Sequence, residues 1–217
     1  MSRTVTKNID YIRKLYAPQD ALLAEINTAL KHIGMEIQLG SEEGKLLQLL
    51  ISMMNIKTVV EIGTLGGYSA LWMARALPED GHLYTLEREA KHAALARDFF
   101  ARSDVAERIT LLEGNAAEML NSLNDKAPFD MIFIDADKIS YGAYLDWAEK
   151  HIKKGGLIVA DNTLLFDTVA EDSPPEGVAP TTWQNMRRFN ERLADPAKYC
   201  SVIVPTQEGM SVAIKLF

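Results

Sequence analysis

Two stretches of this chain end an apolar run in carboxylates. In "FDMIFIDADK" (129–138), Met131, Ile132, Phe133 and Ile134 are followed at once by Asp135, Asp137 and Lys138. In "GGLIVADN" (155–162) the apolar run ends in Asp161 and Asn162. If the two runs are neighbouring parallel strands, Asp135, Asp161 and Asn162 converge at one sheet edge. Two carboxylates and an amide oxygen make an all-oxygen site for a hard cation. Three protein ligands leave positions open on an octahedral ion, which suits Mg²⁺ that keeps waters or takes substrate oxygens. Without a cation the two acids repel. The alternative is a pair of solvated strand-end acids. Lys138 follows Asp135 by three residues and could take up a proton or balance a negative charge. It could equally pair with Asp137.

A second candidate is "VVEIGTLGGYS" (59–69), which reads as a strand, a glycine-rich turn and a helix start. Ligands in open α/β sheets bind beyond the carboxyl ends of the strands. A dinucleotide fingerprint needs G-x-G-x-x-G, but Gly63 is followed by Thr64 and Leu65. A P-loop needs Gly-Lys-Ser/Thr, which is also missing. Glu61 would repel a pyrophosphate and would suit a ligand with a cationic amine. S-adenosylmethionine has that ammonium. It also has a carboxylate that can sit at the helix N-terminus near Ser69, and a ribose diol. Glu87, at the end of the next strand, can accept both ribose hydroxyls. Dinucleotide folds use the same device, so Glu87 identifies a ribose only.

The elements that would position these residues alternate regularly. Strands are expected at 58–62, 82–86, 109–113, 131–135 and 157–160. Helices are expected at 69–76, 89–102, 116–123 and 141–153. Short apolar strands alternating with amphipathic helices imply a parallel sheet covered on both faces. A helix at 182–194 leads to "YCSVIV" (199–204), and "PTQEG" separates it from "MSVAIKL" (210–216). Five turn residues cannot carry a parallel crossover, so the last two strands form an antiparallel hairpin. The expected fold class is α/β: a doubly wound, seven-stranded, mostly parallel sheet with one strand reversed. Two helices precede it. One lies between Pro18 and Gly34, and a second is capped by Ser41 with Glu42 and Glu43 in its first turn. The segment 163–181, "TLLFDTVAEDSPPEGVAPT", is a long loop with three prolines, expected to be mobile and to cover a substrate.

Composition narrows the function classes. With 217 residues and no linker or repeat, one domain is expected over 1–217, with 1–55 as its helical N-terminal segment. The net charge of −7 gives no general attraction to nucleic acid. The first sixteen residues lean basic through Arg3, Lys7, Arg13 and Lys14, as a solvated face or a clamp for an anionic substrate. The four histidines form no metal-ligand spacing. The one cysteine, Cys200, makes no internal disulfide; a buried thiol and a cytoplasmic location are expected. No run is long and apolar enough for a membrane span, and "MSRTVTKNID" lacks the apolar core of a signal peptide.

"EIGTLGGYSALWMARALPEDG", "EGNA", "FIDADKISY" with a further Tyr144, and "GGLIVADNTL" occur in order across residues 35–217. Together they resemble the cation-dependent O-methyltransferases of the caffeoyl-CoA type and, more distantly, catechol O-methyltransferase. The resemblance implies the Rossmann-like class I methyltransferase fold, S-adenosylmethionine as cofactor, and a homodimer. It places Leu39, Glu61, Gly63, Thr64, Ser69, Glu87, Ala116, Asp135 and Asp137 at cofactor positions. The cation falls on Asp135, Asp161 and Asn162. The sequence departs from the plant-type pattern at Leu165 and Phe166, which replace a tryptophan and a polar substrate-side residue, and at Glu208, where "QEG" replaces "GDG". Caffeoyl-CoA is therefore not carried over as the substrate.

The chemistry implied is in-line methyl transfer to an oxygen. A phenol with a pKa of about 10 is mostly neutral at pH 7. Two vicinal oxygens on Mg²⁺ would favour the ionised form and fix one oxygen toward the methyl group. Lys138 and Asp135 are the catalytic candidates, and a catechol-like phenol is the expected acceptor. A hydroxylated uridine in tRNA is the alternative within the family. A nicotinamide-dependent oxidoreductase is opposed by Leu65 and Glu61, and a non-catalytic binding domain by the complete ligand set. Calorimetry should register binding of S-adenosylmethionine and none of NAD; the reverse would return the glycine turn to the dinucleotide class.

Overall fold

The computed structural model describes residues 6–217, so Arg3 of the basic N-terminal stretch lies outside the described residues. The helices are α1 (Lys7–Tyr16), α2 (Ala21–His32), α3 (Ser41–Met54), α4 (Tyr68–Ala74), α5 (Ala90–Ala101), α6 (Ala116–Ser122), α7 (Tyr141–His151) and α8 (Pro180–Leu193). The strands are β1 (Thr58–Ile62), β2 (His82–Glu87), β3 (Ile109–Glu113), β4 (Phe129–Ile134), β5 (Ile152–Ala160), β6 (Tyr199–Val204) and β7 (Met210–Lys215). They form one sheet in the order β3-β2-β1-β4-β5-β7-β6. The chain groups into two compact units. The described residues up to Thr58 with Thr64–Met119 form one, and Val59–Gly63 with Leu120–Phe217 the other.

In the first unit, β2 and β3 pair in parallel from Leu83↔Ile109 to Glu87↔Glu113. α2 starts where the Asp20 side chain accepts from the Leu23 amide, and it buries Leu23, Ile26 and Leu30. α3 starts one residue earlier than Ser41 suggests as a cap. Gly40 is the N-cap, and Glu43 reaches back to accept its amide at 2.6 Å. α1 buries none of its residues.

In the second unit, β4 is flanked by parallel partners. β1 pairs with it from Val59↔Met131 to Ile62↔Ile134, and β5 from Met131↔Leu157 to Ile134↔Ala160. Met131, Ile132, Phe133 and Ile134 are all fully buried. A strand covered on both faces needs such a continuous apolar run. β7 runs antiparallel to both β5 and β6, which bears out the expected hairpin and the single reversed strand.

Three expectations are corrected here. β5 begins at Ile152 rather than 157: the register jumps between Phe129↔Ile152 and Met131↔Leu157, and a bulge at the exposed Lys153–Gly155 absorbs the extra residues. Cys200 is exposed, not buried, because β6 is an edge strand whose residues 200–202 face solvent. The 163–181 loop is packed at its start. Thr163 is 0% and Leu165 2% exposed, and the Thr163 and Leu164 amides donate to the carbonyls of Gly209 and Glu208. Further along, the loop carbonyl of Thr168 accepts from the Trp183 indole, and that of Val169 from Arg187.

Lys215 fastens the end of α7 from β7. It is 6% exposed, and its ammonium donates to the carbonyls of Glu149 at 2.6 Å and Ile152 at 2.7 Å. These are end-of-helix carbonyls without a helical partner. Lys215→Met keeps the bulk and removes both donors. It should destabilise the fold by about 1–3 kcal/mol in urea unfolding. A change below about 0.5 kcal/mol would show that water replaces the ammonium.

Candidate active site

In the first unit, the turn after β1 is built around Glu87. The carboxylate is 8% exposed and accepts one backbone amide on each oxygen, Leu65 N at 2.8 Å and Glu89 N at 2.8 Å. These bonds fix the plane of the carboxylate and leave lone pairs on both oxygens. His92 Nδ1 lies 3.8 Å away. Thr64 is 2% exposed, and its hydroxyl shares a 2.5 Å hydrogen bond with that of Thr85. Leu65 has a left-handed backbone (φ 49°) that swings its amide toward Glu87. Ser69, in the first turn of α4, is 6% exposed, Leu39 is 3% exposed, and Ala116 opens α6 half-buried.

In the second unit, backbone bonds set the strand ends. Asp135 N donates to Ile62 O at 2.9 Å, and Asp161 N donates to Ile134 O at 3.0 Å. Asp135 and Asp161 thus follow directly on the paired Ile134 and Ala160. Parallel strands lie about 4.8 Å apart, so the two carboxylates leave the sheet side by side. Asp161 is 1% exposed. Asn162 has a left-handed backbone (φ 57°), tolerated best by Asn and Gly, and its amide donates to Asp161 Oδ2 at 3.3 Å. Glu61, on β1, is completely buried.

Lys138 sits in the short 3₁₀ turn Lys138–Ser140. Its Nζ is 3.2 Å from Asp135 Oδ1 and 2.8 Å from the Tyr141 hydroxyl. The expected alternative, a pair with Asp137, is not formed. Asp137 caps the turn instead: Oδ1 accepts from the Ser140 amide and hydroxyl, and Oδ2 from the Tyr144 hydroxyl at 2.8 Å. Asp135 therefore carries the amine and Asp137 shapes the corner. Tyr141 and Tyr144 had no role assigned from the sequence; their signal was their place in the quoted motif, three and six residues after Lys138. Burial, with Asp135 and Asp161 adding, pushes the Tyr141 phenol well above the ordinary tyrosine range, so it is neutral.

The donor chemistry fits a hard divalent cation: two adjacent carboxylates and an amide at two strand ends. Among the described residues no group of three His, Cys, Asp or Glu side chains is disposed to hold a metal. The set here has two such residues, and the third oxygen is that of Asn162.

The fold is that of a class I methyltransferase. The profile of the O-methyltransferase family matches residues 15–216. A catechol O-methyltransferase of Niastella koreensis is 38% identical over 99% of both chains. Among solved structures, the O-methyltransferase TomG of Streptomyces achromogenes, bound to S-adenosylmethionine, superposes with a TM-score of 0.86 at 32% identity, covering 96% of this chain and 95% of that one. The O-methyltransferase of Bacillus cereus, bound to S-adenosylhomocysteine, gives 0.85 at 31%, covering 95% and 96%. The chain belongs to the O-methyltransferase family and is an S-adenosylmethionine-dependent enzyme.

Gly63 joins the two strand ends within the second unit. Its φ is +99°, and a Cβ there would lie 1.9 Å from the Asp135 carbonyl oxygen. The left-handed backbone alone costs an L-residue roughly 1–3 kcal/mol, and the overlap adds to that. Gly63→Ala should lower the urea midpoint by more than the backbone term alone, or abolish folding. A wild-type unfolding curve would mean that the β1 and β4 ends move apart freely.

Proposed function

We propose that the protein methylates a hydroxyl of a small, catechol-like phenol, with a divalent cation, most simply Mg²⁺, held by Asp135, Asp161 and Asn162. The observation that carries this is the β4–β5 register. It sets the two carboxylates side by side, with the Lys138 amine 3.2 Å from one of them. The catechol O-methyltransferase of Niastella koreensis supports the acceptor class. When bound, S-adenosylmethionine supplies an electrophilic methyl carbon, and the cation supplies charge that favours an ionised hydroxyl.

The chain's own residues do the rest. Asp135, Asp161 and Asn162 bind through oxygen. As an ammonium, Lys138 balances the negative charge of the acceptor oxygen; once it has given up its own proton, the neutral amine can receive that of the acceptor hydroxyl at Nζ, and Asp135 holds it in place. For the cofactor, Glu87 accepts the ribose hydroxyls, and Leu39, Thr64, Ser69 and Ala116 are the further contacts on the first unit. Glu61, Gly63, Asp135 and Asp137 are those on the second. A homodimer is supported by the apolar side chains that α1 leaves exposed, Tyr11 at 64%, Leu15 at 55% and Tyr16 at 63%. No helix among the described residues is long and apolar enough to cross a membrane. The exposed thiol of Cys200 suits a reducing cytoplasm.

Three experiments test these assignments. Glu87→Ala should weaken S-adenosylmethionine binding by ~1–3 kcal/mol in calorimetry, since it leaves ribose hydroxyls unpaired; unchanged affinity would remove Glu87 from the site. EDTA should abolish methyl transfer to a catechol and Mg²⁺ should restore it. Asp161→Ala should lose that activity while cofactor affinity largely persists. Full turnover by rigorously metal-free protein would sink the cation assignment. Lys138→Ala should lose about 10²–10⁴-fold in turnover, the usual contribution of a general base, and most at low pH where ionised phenol is scarce. A loss below about tenfold would leave Lys138 as the ion-pair partner of Asp135.

A further inference from the structure

Tyr141 opens α7 and is completely buried, yet three polar atoms converge on its hydroxyl. Lys138 Nζ lies 2.8 Å away, the Asp161 carbonyl oxygen 2.8 Å and the Ile134 carbonyl oxygen 3.3 Å. A phenol has one proton to give and can also accept. An ammonium can only donate, so the phenol oxygen accepts from Lys138. Its own proton goes to a carbonyl, the nearer being that of Asp161. The hydroxyl therefore ties together the last residue of β4, the first residue after β5, and the amine.

Packing does not require that hydroxyl. The ring is held edge-on by Phe189 at 5.2 Å between centroids, and a phenylalanine would fill the same space. The amine has more to lose. A lysine stem is flexible and its ammonium is a point charge without directional preference. Asp135 alone would let Nζ swing around one carboxylate oxygen. With Tyr141 as a second anchor, and the tyrosine ring 5.0 Å beneath it, Nζ is held from two sides.

We propose that Tyr141 is a positioning residue whose hydroxyl holds the Lys138 amine beside Asp135 and locks the ends of β4 and β5 at one separation. Being fully buried, it acts through Lys138 and the strand ends. The inference rests on the function proposed for Lys138, and its test separates the two.

Tyr141→Phe removes one oxygen. In the cofactor-free protein, acylation of Lys138 by acetic anhydride, followed by mass spectrometry, should rise at least several-fold over wild type, because the freed amine is more accessible. With S-adenosylmethionine, Mg²⁺ and a catechol, kcat should fall by roughly 10- to 100-fold, the size of one hydrogen bond to a charged group. KM for the catechol should move less than about threefold, since a buried group makes no ground-state contact. The double variant with Lys138→Ala should be no slower than Lys138→Ala alone. Unchanged labelling and kcat in Tyr141→Phe, or a double variant slowed multiplicatively, overturns the inference whatever Lys138 does. Full turnover in Lys138→Ala overturns the function of the lysine instead, and is read in a variant that keeps Tyr141. If Tyr141→Phe does not fold, Lys138→Met serves in its place. The ¹³Cζ resonance of Tyr141 should shift when the ammonium leaves, and an unmoved resonance overturns the contact.

Discussion

The backbone register between β4 and β5 is the constraint on which the chemistry depends. A hydrogen bond from the Asp161 amide to the Ile134 carbonyl, with Ile134 paired to Ala160, fixes which residues leave the sheet together. Side chains in a strand alternate faces, so a slip of one residue would carry Asp161 away from Asp135. The fully buried run Met131–Ile134 and the apolar Leu157–Ala160 opposite it make such a slip costly. Asp135 and Asp161 are thereby held at adjacent strand ends.

The acids alone would be a liability. An ionised group in a buried position is costly unless it is paired or bound to a cation. Lys138 supplies a positive charge 3.2 Å from Asp135 Oδ1. Within the second unit, Gly63 at the end of β1 passes against the Asp135 carbonyl, where any side chain would push β4 out of place.

Much of this was legible from residue order. β1, β3 and β6 were bounded to the residue because each is a short β-prone run between turn-forming residues or helices. Asp135, Asp161 and Asn162 were legible because they interrupt apolar runs. The start of β5 was not, because a bulge at Lys153–Gly155 looks like a loop in a linear pattern. Cys200 was misjudged because sequence order does not reveal which strand is the sheet edge. Lys138 could pair with a neighbour in sequence or with one three residues back. The choice depended on Asp137 being taken by Ser140 and Tyr144. Tyr141 stood in the quoted motif but without a role, because two of its three partners are backbone carbonyls, which no sequence pattern marks.

The most direct measurement of the central claim is diffraction from crystals of the protein soaked in Mn²⁺, recorded at a wavelength where manganese scatters anomalously. The β4–β5 register predicts one strong anomalous peak within about 2.3 Å of oxygens from Asp135, Asp161 and Asn162, absent from crystals of Asp161→Ala. A peak elsewhere, or none at these three residues in the wild-type protein, would contradict it.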